Sequence, residues 1–315
     1  SFLDKMDDDH YIHAEFNQDG TKTGRLSSKN PNLQNVITRT KYPEVEKAVT
    51  FIKKCFIAPE GYTLFGADYS QMELRLIAHF ANETTMIEAY RTGQDLHELT
   101  AANSHNLSLE DFKKQDEKIY ARQRYEAKAE NFGFIYGISS EGFREYARIN
   151  YDVNLTSDEA IAKRAAYFKK YPKLLEYHKI YVAKARKFGY VRTFFGRRVH
   201  LPDINSINNG VKGHAERNAI NSPIQGTGGE MCIFAMNLCS NRLDKRILIV
   251  NDIHDALYFY IPDGLISSSI PIIKETMEHL PLLQYFGKEI DSLPIKVDFE
   301  CSKKSWKEFE KYKTE

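Results

Sequence analysis

The chain has no long apolar run: its purely aliphatic stretches are a few residues each, far short of the roughly 20 that cross a bilayer. No membrane partner is therefore expected. Its first ten residues, SFLDKMDDDH, are polar and acidic, so no secretory leader is visible. Cysteine is scarce: Cys55, Cys232, Cys239 and Cys301 form no CxxC pair and no Cys/His metal spacing. That argues against a disulfide framework and a structural zinc site, and it fits a reducing compartment. An excess of one charge is missing as well. With 44 Lys+Arg against 43 Asp+Glu the formal net charge is +1, and global charge names no partner. Internal repeats and low-complexity tracts are absent too. What remains is a chain of 315 residues, 42% hydrophobic, long enough for a sizeable core and for about two domains.

Charge is uneven locally. Between 161 and 200 there are twelve Lys/Arg and one acid, Glu176. A solvated helix face usually mixes signs, so this block reads as the footprint of a phosphate-lined path. Residues 1–37 are polar, with Asp19-Gly20 and Lys29-Asn30-Pro31 as turn signals, and read as a loop-rich opening with short strands. Residues 62–68 (YTLFGAD) read as a buried strand followed by a helix, and 103–118 as helix ends and a loop. A helix is expected over 123–136, and one or two long helices over 157–188, interrupted by Pro172. DINSINNGVKG (203–213) reads as a loop and a domain boundary. Residues 214–240 are again helical with Pro223 as an irregularity; a hairpin over 247–261, a strand at 295–299 and a charged tail complete the chain. Strands at both ends and a basic helical middle predict an α/β (α+β) platform carrying a helical insertion.

Three constellations carry chemistry. In ADYSQMELR (67–75) a strand ends in Asp68 and turns into a helix. Ser70 and Glu73 match S-x-x-E, so Glu73 has a sufficient structural use in a capping box. Asp68 has none, and an unpaired carboxylate ending an apolar strand calls for a cation. In ILIVNDIHDALYFYI (247–261) a tight turn near Ile253-His254-Asp255 would expose His254 and Asp255 at a hairpin tip. A turn-capping Asp is common. If the hairpin lies beside the first strand, however, Asp68 and Asp255 converge as the carboxylate pair that phosphoryl transfer uses to hold magnesium. Third, Arg124, Lys128, Phe132 and Tyr136 recur every fourth residue and share one helical stripe. Two cations suit a triphosphate, and two aromatics suit a base and sugar. Arg217, Asn221 and Gln225 repeat that spacing with polar donors. Such a stripe is often only solvated, but donors of this kind also suit minor-groove acceptors, which every base pair presents.

These residues resemble the family A, or DNA polymerase I-like, DNA polymerases over nearly the whole chain. TGRLSSKNPNLQN (23–35) is similar to the primer–template contact segment and ADYSQMELR to motif A. RQRYEAKAENFGFIYG (122–137) is similar to motif B and IHDAL (253–257) to motif C, with YVRTFFGRRVHLPDI (190–204) and RNAINSPIQGTGGE (217–230) between them. The resemblance implies template-directed DNA synthesis from deoxynucleoside triphosphates on primer–template DNA. Asp68 and Asp255 would hold two magnesium ions, manganese being a substitute, with help from the Tyr69 backbone carbonyl. Arg124, Lys128 and His97 would grip the phosphates, and Lys128 would protonate pyrophosphate. Phe132 would stack on the nucleotide, with Gln71 also in its site, and Tyr136 would sit beside the templating base. Glu73, hydrogen-bonded to Tyr136, would reject ribonucleotides. Arg25, Asn32, Gln34, Arg217, Asn221, Gln225 and His254 would contact DNA.

The same resemblance implies a palm from 1–82 and 207–315, built on an antiparallel sheet, with helical fingers over 83–206. The chain is expected to begin inside the palm and to be complete at its C-terminus. The thumb and any exonuclease domain would then lie on another polypeptide or a missing N-terminal part, leaving this chain with weak DNA affinity. A cytoplasmic or nucleoid setting is implied, a phage-infected cell or an organelle included. One departure from the family pattern is Ala256, where a second acid commonly follows Asp255. Asp252 is an extra carboxylate that could compensate, and Asp252→Ala is then expected to raise the magnesium requirement. The competing readings are a single-subunit RNA polymerase, which Glu73 argues against; a non-catalytic DNA-binding subunit, which would have no use for Asp68, Asp255, Lys128 and Arg124 together; and a two-metal nuclease, which needs no cation–aromatic stripe.

Overall fold

The computed structural model describes residues 2–36 and 43–314. Ser1 and Ile37, part of the expected loop-rich opening, lie outside the described residues. That opening contains two short antiparallel strands, β1 (Glu15–Asn17) and β2 (Ser27–Lys29). In α1 (Pro43–Lys54) acids in the first turn and lysines in the last run with the helix dipole. β3 (Tyr62–Tyr69) follows, and α2 (Met72–Ala81) begins after Gln71, whose φ is +53°. The capping box expected from Ser70 and Glu73 is thereby out of register. A helix starting at 72 has Gln71 at its N-cap and Leu74 at N3.

Next come α3 (Thr84–Arg91), α4 (Leu96–Ser104) and α5 (Leu109–Lys113), the last a short helix inside the stretch read as helix ends and loop. α6 (Glu117–Ile135) starts six residues earlier than the expected 123, on an Asp116 cap. α7 (Ser140–Tyr151) is followed by α8 (Ser157–Lys170) and α9 (Pro172–Phe188). Pro172 does divide those two helices, taking the first-turn position where its missing N–H costs nothing. β4 (Tyr190–Arg192) and β5 (Arg198–His200) form a hairpin, and α10 (Asn209–Arg242) runs through Pro223. Pro223 leaves backbone carbonyls short of donors; the Tyr177 hydroxyl supplies one, donating to Ile220 O at 2.9 Å. β6 (Leu248–Ile253), β7 (Ala256–Pro262), α11 (Ile266–Glu278), α12 (Leu282–Phe286), β8 (Val297–Ser302) and β9 (Glu310–Tyr312) complete the chain. The expected charged tail thus ends in a strand.

The chain forms two compact units: Ser1–Met72 with Gly226–Gly287 and Ile295–Glu315, and Glu73–Gln225 with Lys288–Pro294. The divisions fall at 72 and 225 rather than at 82 and 206. α2 packs within the helical unit, where His79 Nδ1 meets Ser292 Oγ at 2.8 Å. The start of α10 does the same, because Ala215 and Ala219 join Val191, Val199 and Leu201 in one core. The Asn/Gly-rich segment is not a boundary. Its Asn208 side chain accepts from Gly210 N and Val211 N and so starts α10.

The first unit is built on a five-stranded antiparallel sheet, ordered β6-β7-β3-β8-β9. Along β7, Leu257, Phe259 and Ile261 are fully buried and alternate with half-exposed Tyr258 and Tyr260. Each such buried side chain contributes about 1.5–3 kcal/mol. α11 packs against β7 and β8, and the Tyr69 hydroxyl donates to Met277 O at 3.0 Å. The second unit is helical apart from the β4–β5 hairpin. Its centre is aromatic: Phe134 lies 4.2 Å from Phe143 and 5.2 Å from Tyr167 between ring centroids.

Candidate functional site

In the first unit, register brings the acids together. β3 is flanked by β7 and β8, so Asp68 pairs with Ala256 on one side and Asp298 on the other. Tyr69 N donates to Asp255 O at 3.2 Å, which ties the hairpin turn to the end of β3. A bulge between Ile249 and Asn251 adds twist to β6. The turn itself is tight, with His254 at φ +59°. His254 is exposed and Asp255 half-exposed, as the sequence predicts for the hairpin tip.

Asp68 is open to solvent at the sheet rim, one residue before β3 ends. Protein crowding on its other sides, then the negative charges of Asp255, Asp298 and Glu300, push its carboxyl up to about 7. Like charges directly opposite in a sheet are destabilising, so this rim is short of a cation. One is already supplied: Arg25 Nη2 donates to Asp255 Oδ1 at 2.8 Å. Gly229 on α10 makes that reach feasible. A Cβ there would come within 2.5 Å of Arg25 Cγ and 3.3 Å of its Cα.

Hard oxygen donors with positive charge drawn to them suit magnesium or manganese. Among the described residues no three metal-ligating side chains form a closed cage. Two carboxylates that leave the other positions to water and substrate phosphates are the usual way magnesium is held. Ala256 also has a physical reason: an acid there would stand directly across from Asp68 in register. Asp252 is buried, and its oxygens are occupied. Cys232 Sγ donates to Oδ1 at 3.3 Å, and Gln34 Nε2 donates to the backbone O at 3.0 Å and to Oδ2 at 3.4 Å. Burial, with Asp255 adding to it, pushes the Asp252 carboxyl up to about 6. These bonds fix the hairpin to α10 and to the segment bearing Gln34. Asn32 is a turn former, its Oδ1 accepting from Gln34 N and Asn35 N.

In the second unit, Arg124, Lys128, Phe132 and Tyr136 are each half-exposed, while Ala127, Ala129, Asn131, Gly133 and Phe134 between them are buried. The four side chains therefore share one half-exposed face of α6. Arg124 is not loose: its Nε and Nη2 donate to Asp95 Oδ2, at 3.1 and 2.5 Å. Asp95 Oδ1 meanwhile caps α4, accepting from His97 N and Glu98 N. Burial raises the Asp95 carboxyl, but the Arg124 guanidinium outweighs it and leaves the group lowered. His97 is buried, and its ring packs 5.9 Å from Phe132.

Phe132 and Tyr136 line a cavity of about 380 Å³ together with Gly133, Ser139, Arg217 and Asn221. Two buried atoms of that lining, the Tyr136 hydroxyl and Asn221 Oδ1, have no hydrogen-bond partner among the described residues. The expected bond from Tyr136 to Glu73 is therefore not made. A buried polar atom left unpaired costs about 1–3 kcal/mol, and a cavity lined by two of them is shaped for a polar ligand. Gln225, one turn beyond Asn221, is half-buried.

The basic block divides. Lys163 is bonded to buried Glu130 at 2.7 Å, Lys173 to Glu176 and Arg186 to Glu216, so these serve the fold. Arg192 and Arg198 lie over the ring of Tyr190 on the exposed face of the hairpin. Sequence reasoning missed Asp95, Asp298, Glu300 and Asn131. Only the alternation in VDFEC, which puts Asp298 and Glu300 on one strand face, offered a signal.

The chain is similar to a solved polymerase domain: the POL domain of Pol1 from M. smegmatis, determined as a complex with DNA primer-template and dNTP. The two share 31% identity and a TM-score of 0.83 over 97% of this chain and 50% of that one. The chain belongs to DNA polymerase family A, whose model matches residues 2–308. DNA polymerase I of Geobacillus stearothermophilus is 38% identical over 294 residues, 91% of this chain and 30% of the relative. DNA polymerase I of Pseudomonas aeruginosa is 38% identical over 84% of this chain and 27% of the relative. The chain thus spans less than a third of the length of these relatives.

Proposed function

We propose that this chain is the palm and fingers part of a template-directed DNA polymerase, adding deoxynucleotides to a primer 3′-end by two-metal-ion transfer. The observation that carries the reading is the rim of the sheet, where register sets Asp68 beside the turn that bears Asp255. Asp68 and Asp255 hold the ions, with the Tyr69 carbonyl assisting, and Arg25 gives up Asp255 to take the primer. When bound, two magnesium or manganese ions supply an activated primer hydroxyl and a stabilised leaving pyrophosphate.

Lys128 and Arg124 bind the phosphates, and Lys128 holds a proton for the leaving group. Asp95 aims Arg124 by engaging its Nε and Nη2 and leaves Nη1 for phosphate oxygen. Phe132 stacks on the nucleotide base, sequence-tolerant because every base has a π face. Tyr136, Arg217 and Asn221 take the templating base or the nascent pair in the cavity they line. Glu73 and Gln71 border the sugar. Gln225, His254, Asn32 and Gln34 complete the DNA contacts. A thumb and any exonuclease come from the remainder of a longer or split polymerase.

Primer extension at high DNA concentration, with deoxy- or ribonucleoside triphosphates on one primed template, tests the reading. Lengthening by deoxynucleotides alone is expected. Preferential use of ribonucleotides would make the chain an RNA polymerase, a shortened primer would make it a nuclease, and an unchanged primer with every nucleotide would leave it a binding subunit.

A further inference from the structure

The interior of the helical unit carries a chain of buried polar side chains. Thr100 on α4 is 1% exposed, Asn131 on α6 and Tyr171 are fully buried, and His97 is 3% exposed. The Thr100 hydroxyl donates to Asn131 Oδ1 at 3.0 Å and meets the Tyr171 hydroxyl at 2.9 Å. Asn131 Nδ2 meets His97 Nδ1 at 2.9 Å. An amide nitrogen can only donate. With Oδ1 held by Thr100, Nδ1 must accept, and the single proton of the neutral imidazole belongs on Nε2. The ring is neutral near pH 7, since burial pushes its pKa down to about 4; Arg124 and Lys128 on α6 act in the same direction, against Asp95 at the α4 cap. Networks this deep are costly to leave half-satisfied. This one ends at Nε2, which has no hydrogen-bond partner among the described residues.

We propose that Asn131 is a positioning residue: anchored by Thr100, it holds His97 in the Nε2–H form, so that the imidazole offers a neutral donor beside Arg124 and Lys128. That this donor meets a nucleotide phosphate rests on the function proposed above. The device adds a directed hydrogen bond without adding a third positive charge. A neutral imidazole with the opposite tautomer would turn a lone pair toward the same anion.

Two-bond proton–nitrogen spectra of the full chain carrying isotope-labelled histidine read the tautomer directly. The His97 signals should show Nε2–H from about pH 5 to about pH 8, with no protonation step in that range. In Asn131→Asp the carboxylate accepts where the amide donated, so the proton should move to Nδ1 and the ring should titrate near or above its ordinary value. Thr100→Val is the milder variant should Asn131→Asp fail to fold. It frees the amide to turn over and should give a mixture of tautomers. It should also lower the melting temperature, because two buried hydrogen bonds are lost, and weaken binding of inorganic tripolyphosphate about tenfold at temperatures where the variant stays folded. An Nδ1–H tautomer in the wild type, or an Nε2–H tautomer unchanged in the folded variants, would overturn the inference. The expected tautomers in a chain that binds no tripolyphosphate would uphold the role of Asn131 and sink the functional reading on which the phosphate contact rests.

Discussion

Asp68→Asn keeps the shape of the side chain and removes its charge, so it isolates the crowding at the sheet rim. The Asp68 carboxyl is pushed from its ordinary 3.8 to about 7. The folded chain therefore binds that proton more tightly than the unfolded one. The associated stability is fully present below pH 3.8, declines as pH rises, and is lost above about 7. Unscreened, a shift of this size corresponds to about 4 kcal/mol. Asp68 is open to solvent on one side, and screening there leaves about 1–2 kcal/mol. The asparagine variant has no proton to lose. In EDTA it should melt about 2–5 °C above the wild type at pH 8, and the gap should close toward pH 4. Magnesium at pH 8 should raise the wild type and leave the variant unmoved. Thermal melts across that range are the assay. A gap that does not change with pH, or a variant less stable at pH 8, would refute the claim that burial and the neighbouring acids disfavour a charged Asp68.

Phe132→Ala should weaken binding of deoxynucleoside triphosphates by about 1–3 kcal/mol through lost stacking, with an unchanged melting temperature; equal affinity by calorimetry would remove Phe132 from the nucleotide site. Gly137→Ala should destabilise the chain by about 1–2 kcal/mol in chemical unfolding. Its φ is +73°, and the added Cβ would lie 2.7 Å from Ile220 Cδ1. Ile220→Val should relieve only the second effect.

Much of this was written locally. The strand ending in Asp68, the break at Pro172, the stripe on α6 and the hairpin tip at His254 and Asp255 all follow from periodicity and turn chemistry within a dozen or so residues. What sequence could not supply was register. Asp298 becomes a neighbour of Asp68 only because β8 pairs with β3, and no local pattern encodes which strands adjoin. The same holds for Arg25 on Asp255 and for Asn131 on His97, contacts made by packing. Asp252 was misplaced for a related reason: an acid in an apolar strand reads as a ligand until its partners, Cys232 and Gln34, are seen. α10 was read from 214 rather than 209 because Asn209, Gly210 and Gly213 resemble a loop, and Pro223 was read as an irregularity within it. Tertiary packing overrides that propensity, and Tyr177 meets the carbonyl of Ile220.

The central claim is that Asp68 and Asp255 act as one metal-holding unit, and single-turnover primer extension by Asp68→Asn, Asp255→Asn and the double variant tests it most directly. Groups that work together are lost together. Each single variant should extend the primer at least about a thousandfold more slowly, and the double variant little more slowly than either. Losses that multiply, or an Asp255→Asn chain within about tenfold of the wild type, would contradict it.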